Sequence, residues 1–232
     1  METTGGRRLW DVSPPLTSGL AVFPGDTPLG REVLMRREAG DSVTLSTLRS
    51  TAHLGAHVDA PLHYGTGGAS IDAVPLERLL GRCRLVRPRA DEDVTDGRLS
   101  SAGLAAALDA LADALDGGRP DLPPRVLVAT GSHPDPTRWT DAFTALTPEA
   151  IDWLAAAGVR TVGIDTPSID PADSPELPAH AAVLRHDMTI VEGLVLAGVP
   201  EGDYELIALP LRLVGFDGSP VRAVLRELPG TA

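Results

Sequence analysis

The sequence predicts a strand-rich α/β fold built as one domain over residues 1–232. Short apolar, β-branched runs bounded by glycine and proline recur along the chain, and two stretches carry helical periodicity instead. The length, with 43% hydrophobic residues, suits one large core. Residues 8–13, Arg-Leu-Trp-Asp-Val-Ser, read as a first strand that Pro14-Pro15 ends. Residues 16–30 hold Gly19, Pro24, Gly25, Pro28 and Gly30 and read as a loop. Residues 43–50 alternate and are rich in Thr and Val, a strand pattern. Gly65-Thr66-Gly67-Gly68 is a turn, and Cys83–Arg87 a further strand.

In residues 100–116, Leu104, Leu108, Leu111 and Leu115 follow a helical repeat, with Ser100 or Ser101 to cap the start and Gly117-Gly118 the end. Residues 125–130 form a short apolar strand. Thr147 to Gly158 is a capped helix with Pro148 at its first position and Glu149 in its first turn. Residues 161–165 form a strand, and Thr166-Pro167-Ser168 turns off it. Residues 188–195 and 204–209 read as strands, or as a short helix and a strand, and 221–226 closes the fold. The proline-rich 119–124 joins parts of one unit, because neither side differs from the other in composition.

Charge and composition exclude several classes. A net charge of −12 argues against a nucleic-acid partner held by a basic field. No run of 18 apolar residues exists, so no membrane span is expected. Arg7 and Arg8 are not followed by an apolar signal region, which points to a cytoplasmic protein. The single cysteine, Cys83, lies in an apolar run and reads as a small buried residue.

The densest chemistry is in His53-Leu54-Gly55-Ala56-His57-Val58-Asp59-Ala60-Pro61-Leu62-His63-Tyr64, which holds three of the six histidines. Imidazole and carboxylate are the donors that zinc and similar divalent ions prefer. The polar residues fall at odd positions, an alternation that predicts extended chain with one buried face. A straight strand would hold His53 and His63 about 33 Å apart. The chain must therefore bend, with Gly55 and Pro61 as the sites. A set of ordinary core histidines explains one imidazole on an apolar face better than it explains this cluster.

Downstream candidates for the same site are His180, after the proline-rich loop 167–178, and Glu192, flanked by apolar residues. A carboxylate in such a run is costly to bury unless it is paired or binds metal. A surface histidine and a salt-bridged glutamate are the plainer readings. Asp165 is a similar candidate, whereas His133 and His186 read as exposed loop histidines.

The run 53–63 resembles the H-x-G-[TA]-H-x-D-x-P-x-H signature of the metal-dependent cyclase and kynurenine formamidase family. Trp10–Pro15 is similar to that family's opening strand, Phe23–Pro28 to its W-P-G-D loop, and Gly163–Ser168 to its G-[IV]-D-T-x-S turn. His180 and Glu192 stand at the family's twelve-residue spacing, and Glu201–Arg212 resembles the bacterial formamidase branch. The resemblance implies a compact β/β/α barrel-like fold, dimeric as a rule, and a hydrolase with two zinc ions per subunit or another divalent metal in their place. It implies that His53 and His57 bind the first ion, that Asp59 and Glu192 bridge, and that His180 binds the second. It implies His63 as proton donor and acceptor and Phe23 as a substrate-pocket ring, where related formamidases often carry Trp.

The implied reaction is hydrolysis of the small-molecule aryl formamide N-formyl-L-kynurenine to L-kynurenine and formate, in tryptophan degradation by the kynurenine pathway. A related lactam or amide hydrolase, similar to isatin hydrolase, is the alternative that Phe23 keeps open. A protein with a purely structural zinc is a third class, disfavoured because such sites are usually closed by four ligands, often cysteines.

Overall fold

The computed structural model describes residues 2–4, 6–114 and 121–230. In chain order the strands are β1 (Glu2–Thr4), β2 (Arg7–Asp11), β3 (Gly30–Met35), β4 (Leu45–Arg49), β5 (His57–Asp59), β6 (Leu80–Val86), β7 (Val94–Thr95), β8 (Arg98–Leu99), β9 (Arg125–Val128), β10 (Ala145–Leu146), β11 (Thr161–Ile164), β12 (Thr189–Glu192), β13 (Gly202–Ile207), β14 (Gly218–Pro220) and β15 (Val224–Glu227). The α-helices are α1 (Pro61–Tyr64), α2 (Ser101–Ala114), α3 (Pro148–Ala156) and α4 (Pro178–Arg185).

Ten strands pair into one sheet in the order β1-β2-β15-β13-β6-β9-β11-β12-β5-β14. The strand-rich α/β fold read from the sequence is thus what forms. Among the described residues the sheet is curled and open, with β1 and β14 at its ends. Its centre is parallel: β6, β9, β11 and β12 run the same way, and both flanks are antiparallel. All residues of β9, β11 and β12 are buried. Parallel strands are covered on both faces, which is why these segments read as apolar runs without alternation.

Two cores provide that cover. Val126, Val128, Val162, Ile164 and Ile190 pack on one face with Leu104 and Leu108 of α2, Ile151 and Leu154 of α3, and Ala182 and Val183 of α4. On the other face Val58, Leu85, Leu127, Val191, Leu206 and Leu225 pack together. Each fully buried Leu or Ile contributes about 1.5–3 kcal/mol. In contrast, β13 alternates buried and half-buried residues, as an antiparallel strand with one wet face does.

The helix signals hold locally. The Ser100 hydroxyl accepts the Gly103 N–H at 3.2 Å at the start of α2, and the Thr147 hydroxyl accepts that of Ala150 at 3.2 Å at the start of α3. Leu104, Leu108 and Leu111 are buried as the repeat demands, whereas Leu115 and the glycines 117–118 lie outside the described residues. Cys83 is fully buried, and burial pushes its thiol up to about 12.

Three expectations need correction. The histidine-rich segment is a strand only over His57–Asp59, and both of its faces are buried. It bends where expected: Gly55 takes a φ of 61°, and Pro61 opens the one-turn helix α1 that carries His63. His186 is half-buried rather than free in its loop, with Nε2 2.7 Å from Asp152 Oδ1. His133 is likewise half-buried, in a cavity wall.

Candidate metal centre and active site

The parallel strands β9, β11 and β12 end on one side of the sheet. A cavity of about 470 Å³ lies there, lined by Gly131 and His133 beyond β9, Asp165 and Pro167 beyond β11, and Glu192 and Gly193 at the end of β12. In open α/β sheets ligands bind outside the carboxyl ends of the strands. His53, His57, His63 and His180 line the same cavity.

Register brings the donors together. β5 pairs antiparallel with β12, so that His57 stands opposite Glu192 and Asp59 opposite Ile190. β14 pairs with the other edge of β5, Gly218 opposite Asp59, and so places Asp217 beside the cluster. The turn that returns His53 to this group is packed tightly against β12. A Cβ on Gly193, whose φ is 65°, would lie 2.2 Å from the Gly55 carbonyl oxygen. Only glycine fits there.

Asp59 sits at the centre and is buried. Its Oδ1 is 2.9 Å from His53 Nδ1 and 3.3 Å from His57 Nε2, and its Oδ2 is 3.4 Å from His180 Nε2. Glu192 is also buried and spans the same gap, with Oε2 3.5 Å from His57 Nε2 and Oε1 3.6 Å from His180 Nε2. Among the described residues the donors form three groups, His53-His57-Asp59 and Asp59-His180-Glu192, which share the Asp59 carboxylate, and His53-His63-Asp217 nearer the surface. Donors about 2.1 Å from a tetrahedral metal ion such as zinc stand about 3.4 Å apart, so the spacing of these groups suits metal binding.

The second nitrogen of each imidazole is also engaged. His57 Nδ1 donates to the Gly55 carbonyl at 2.8 Å, which turns Nε2 to the carboxylates. His180 Nδ1 meets Asp170 Oδ2 at 2.8 Å, and His53 Nε2 meets Asp217 Oδ2 at 3.0 Å. Imidazoles that bind metals are oriented in this way, by a carbonyl or carboxylate on the far nitrogen. Hydrogen bonds outweigh burial at these imidazoles. Burial alone would lower the pKa of both His57 and His180. The hydrogen bonds of His57 to Asp59 and Glu192, and of His180 to Asp170 and Asp59, instead raise each to about 10. Asp59 is held well below the carboxylate range despite its burial, by His180, His53 and His57.

His63 stands apart. Its side chain keeps 35% exposure, its ring centroid is 4.1 Å from that of His53, and its Nδ1 is 3.7 Å from Asp217 Oδ2. Burial, the largest influence, pushes it below the ordinary imidazole value. Phe23 lines the cavity mouth edge-to-face with Trp139, ring centroids 4.8 Å apart.

All seven residues singled out from the sequence for this site thus face one cavity or its buried floor. Asp165 lines the same cavity but stands outside the donor groups. Its carboxylate accepts the Thr130 and Gly131 N–H groups, each at 2.9 Å, and the Thr130 hydroxyl at 2.7 Å, and so fixes the loop after β9. Asp170, Asp217 and Trp139 were missed. Asp170 is a second carboxylate five residues after Asp165, and Asp217 is a carboxylate in a Gly-Phe-Asp-Gly turn. Both are signals of a kind that sequence can offer.

A buried pair of donor groups at the strand ends of an α/β sheet defines a metal-binding enzyme site. Comparison with known proteins places it more closely. The sequence profile of a family described as putative cyclase matches residues 10–171. Kynurenine formamidase from Bordetella petrii is 48% identical over 222 residues, 96% of this chain and 99% of that protein. A predicted metal-dependent hydrolase from Bacillus stearothermophilus shares the structure with a TM-score of 0.74 at 29% identity, over 96% of this chain and 99% of its own. Isatin hydrolase A from Ralstonia solanacearum shares the fold, with a TM-score of 0.77 at 22% identity over 97% and 93% of the two chains. The chain belongs to the cyclase family.

Proposed function

We propose that this chain is a metal-dependent arylformamidase that hydrolyses N-formyl-L-kynurenine to L-kynurenine and formate, a step of tryptophan degradation by the kynurenine pathway. The observation that carries this reading is the sharing of Asp59 between two donor groups, in a chain 48% identical to a kynurenine formamidase. In this reading two zinc ions bind per subunit, or another divalent metal with the same donor preference. His53, His57 and Asp59 would hold one, Asp59, Glu192 and His180 would hold the other, and the two carboxylates would be common to both. When bound, such ions activate water near neutral pH and polarise the formyl carbonyl.

The chain's own residues do the rest. His63, beside the donors and less basic than an ordinary imidazole, takes the proton from the attacking water. It then delivers that proton to the aniline nitrogen, which leaves poorly as an anion. The ring of Phe23 holds the aryl group by offset or edge contact. The apolar wall at Leu20, Val22, Leu194 and Leu196 excludes competing water.

The unit is one domain over residues 1–232, and we place it in the cytoplasm as a homodimer. No helix of the described residues is long and apolar enough to cross a membrane.

The test is hydrolysis of N-formyl-L-kynurenine by purified protein, before and after metal is stripped and zinc restored. Turnover that vanishes with chelation and returns with zinc is the expected result. Zinc-loaded protein that leaves this substrate intact and opens isatin overturns it in favour of a lactam hydrolase, the reading that Phe23 keeps open.

A further inference from the structure

The sequence predicts an exposed loop position for His133, and neither metal binding nor proton transfer uses it. It lies in the loop after β9, at the same strand ends as the donors, and its ring lines the cavity. Its Nδ1 is shut away from solvent with no hydrogen-bond partner. A closed-off N–H without an acceptor is rarer, and costs more, than a closed-off lone pair. The favoured neutral tautomer therefore carries its proton on Nε2, the ring nitrogen that is not enclosed. Burial holds the imidazole below its ordinary pKa, against the pull of Asp165 and Asp135, and so keeps it neutral near pH 7.

The rest of the wall makes that donor matter. Among the described residues, no arginine or lysine lines the cavity, whereas Asp26, Asp165, Asp217 and Glu192 do. His53, His57 and His180 are turned to carboxylates. Apart from His63, which carries the reaction's proton, a substrate with a carboxylate at one end thus meets one imidazole in this cavity, His133, that no protein group claims. Phe23 and Trp139, edge-to-face in the same cavity, offer the surface for an aryl ring.

We propose that His133 is a specificity-determining residue that donates a hydrogen bond to the amino-acid end of the aryl formamide whose ring lies against Phe23 and Trp139. The proposal rests on the formamidase reading and adds to it the chemistry that selects the substrate's far end.

The test uses zinc-loaded protein and two substrates. One is N-formyl-L-kynurenine. The other is 2-formamidoacetophenone, which keeps the aryl formamide and the ketone but lacks the amino acid. His133→Leu should raise KM about tenfold for the first, leave its kcat nearly unchanged, and leave both constants for the second unchanged. His133→Gln, which keeps a donor, should recover part of the loss. Phe23→Leu should raise KM for both substrates.

An equal loss on both substrates in His133→Leu, or no change in either, overturns the proposal. Wild-type protein that cleaves only the acetophenone derivative also overturns it, and leaves aryl formamide hydrolysis standing. Wild-type protein that cleaves neither removes the formamidase reading, and the proposal with it.

Discussion

One oxygen of Asp170 holds both the ring and the backbone of His180: Oδ2 stands 2.8 Å from Nδ1 and 3.0 Å from the His180 N–H, while Oδ1 accepts the Ala179 N–H at 2.9 Å. The same carboxylate therefore caps the first turn of α4 and aims a candidate ligand. The N-cap residue itself, Leu177, has no side-chain cap and takes a φ of 45°. Asp170→Asn should weaken zinc binding about 10–100-fold and lower stability by about 1–3 kcal/mol. A competition titration against a chromogenic chelator, with thermal melts, measures both. Unaltered affinity would mean that packing alone aims His180.

His63→Gln should keep its zinc and lose about 100- to 10,000-fold in kcat, the range for removal of a proton-transfer group. Zinc content and turnover measured on the same sample separate the roles. Loss of metal would make His63 a ligand.

Asp59→Asn removes the carboxylate that the His53-His57 and His180-Glu192 groups share. Zinc content should fall, and added zinc should no longer raise the melting temperature as it does for a protein that binds metal only when folded. Full zinc content in this variant would sink the bridging role.

Much of this arrangement is legible in the sequence, for physical reasons. β9, β11 and β12 read as apolar runs because both their faces are covered. The leucines of α2 follow one face, and the donors at 53–63 crowd into one short segment. What stayed hidden is what depends on distant chain. Helix α4 was missed because its cap, Asp170, lies ten residues before His180 and outside any local start signal. β5 is only three residues long and exists through its pairing with β12 and β14. β3 was missed because its residues are mostly exposed and show no alternation. Asp217 has no local partner that marks it, since its contact with His53 spans 164 residues.

Stability should depend on pH at a second cluster. Asp203 of β13 takes two hydrogen bonds from Arg84 of β6, at 2.7 and 3.0 Å. Burial alone would raise its pKa, but Arg84 and Arg82 hold it below the ordinary carboxylate value. A pKa depressed on folding stabilises above the unfolded value of about 3.9. That contribution is lost as pH falls through the folded value. Asp203→Asn should therefore cost about 2 kcal/mol at pH 7, shrinking below about pH 4. Urea unfolding of both proteins across this range checks it, and a pH-independent difference would refute it.

The pairing of β5 with β12 also sets when the site can exist. His180 and Asp59 lie 121 residues apart in the chain. On the ribosome the histidine-rich segment emerges long before its counterparts, so it has half of its donors and no opposing strand. The full donor set thus comes together only once the sheet has closed around both segments.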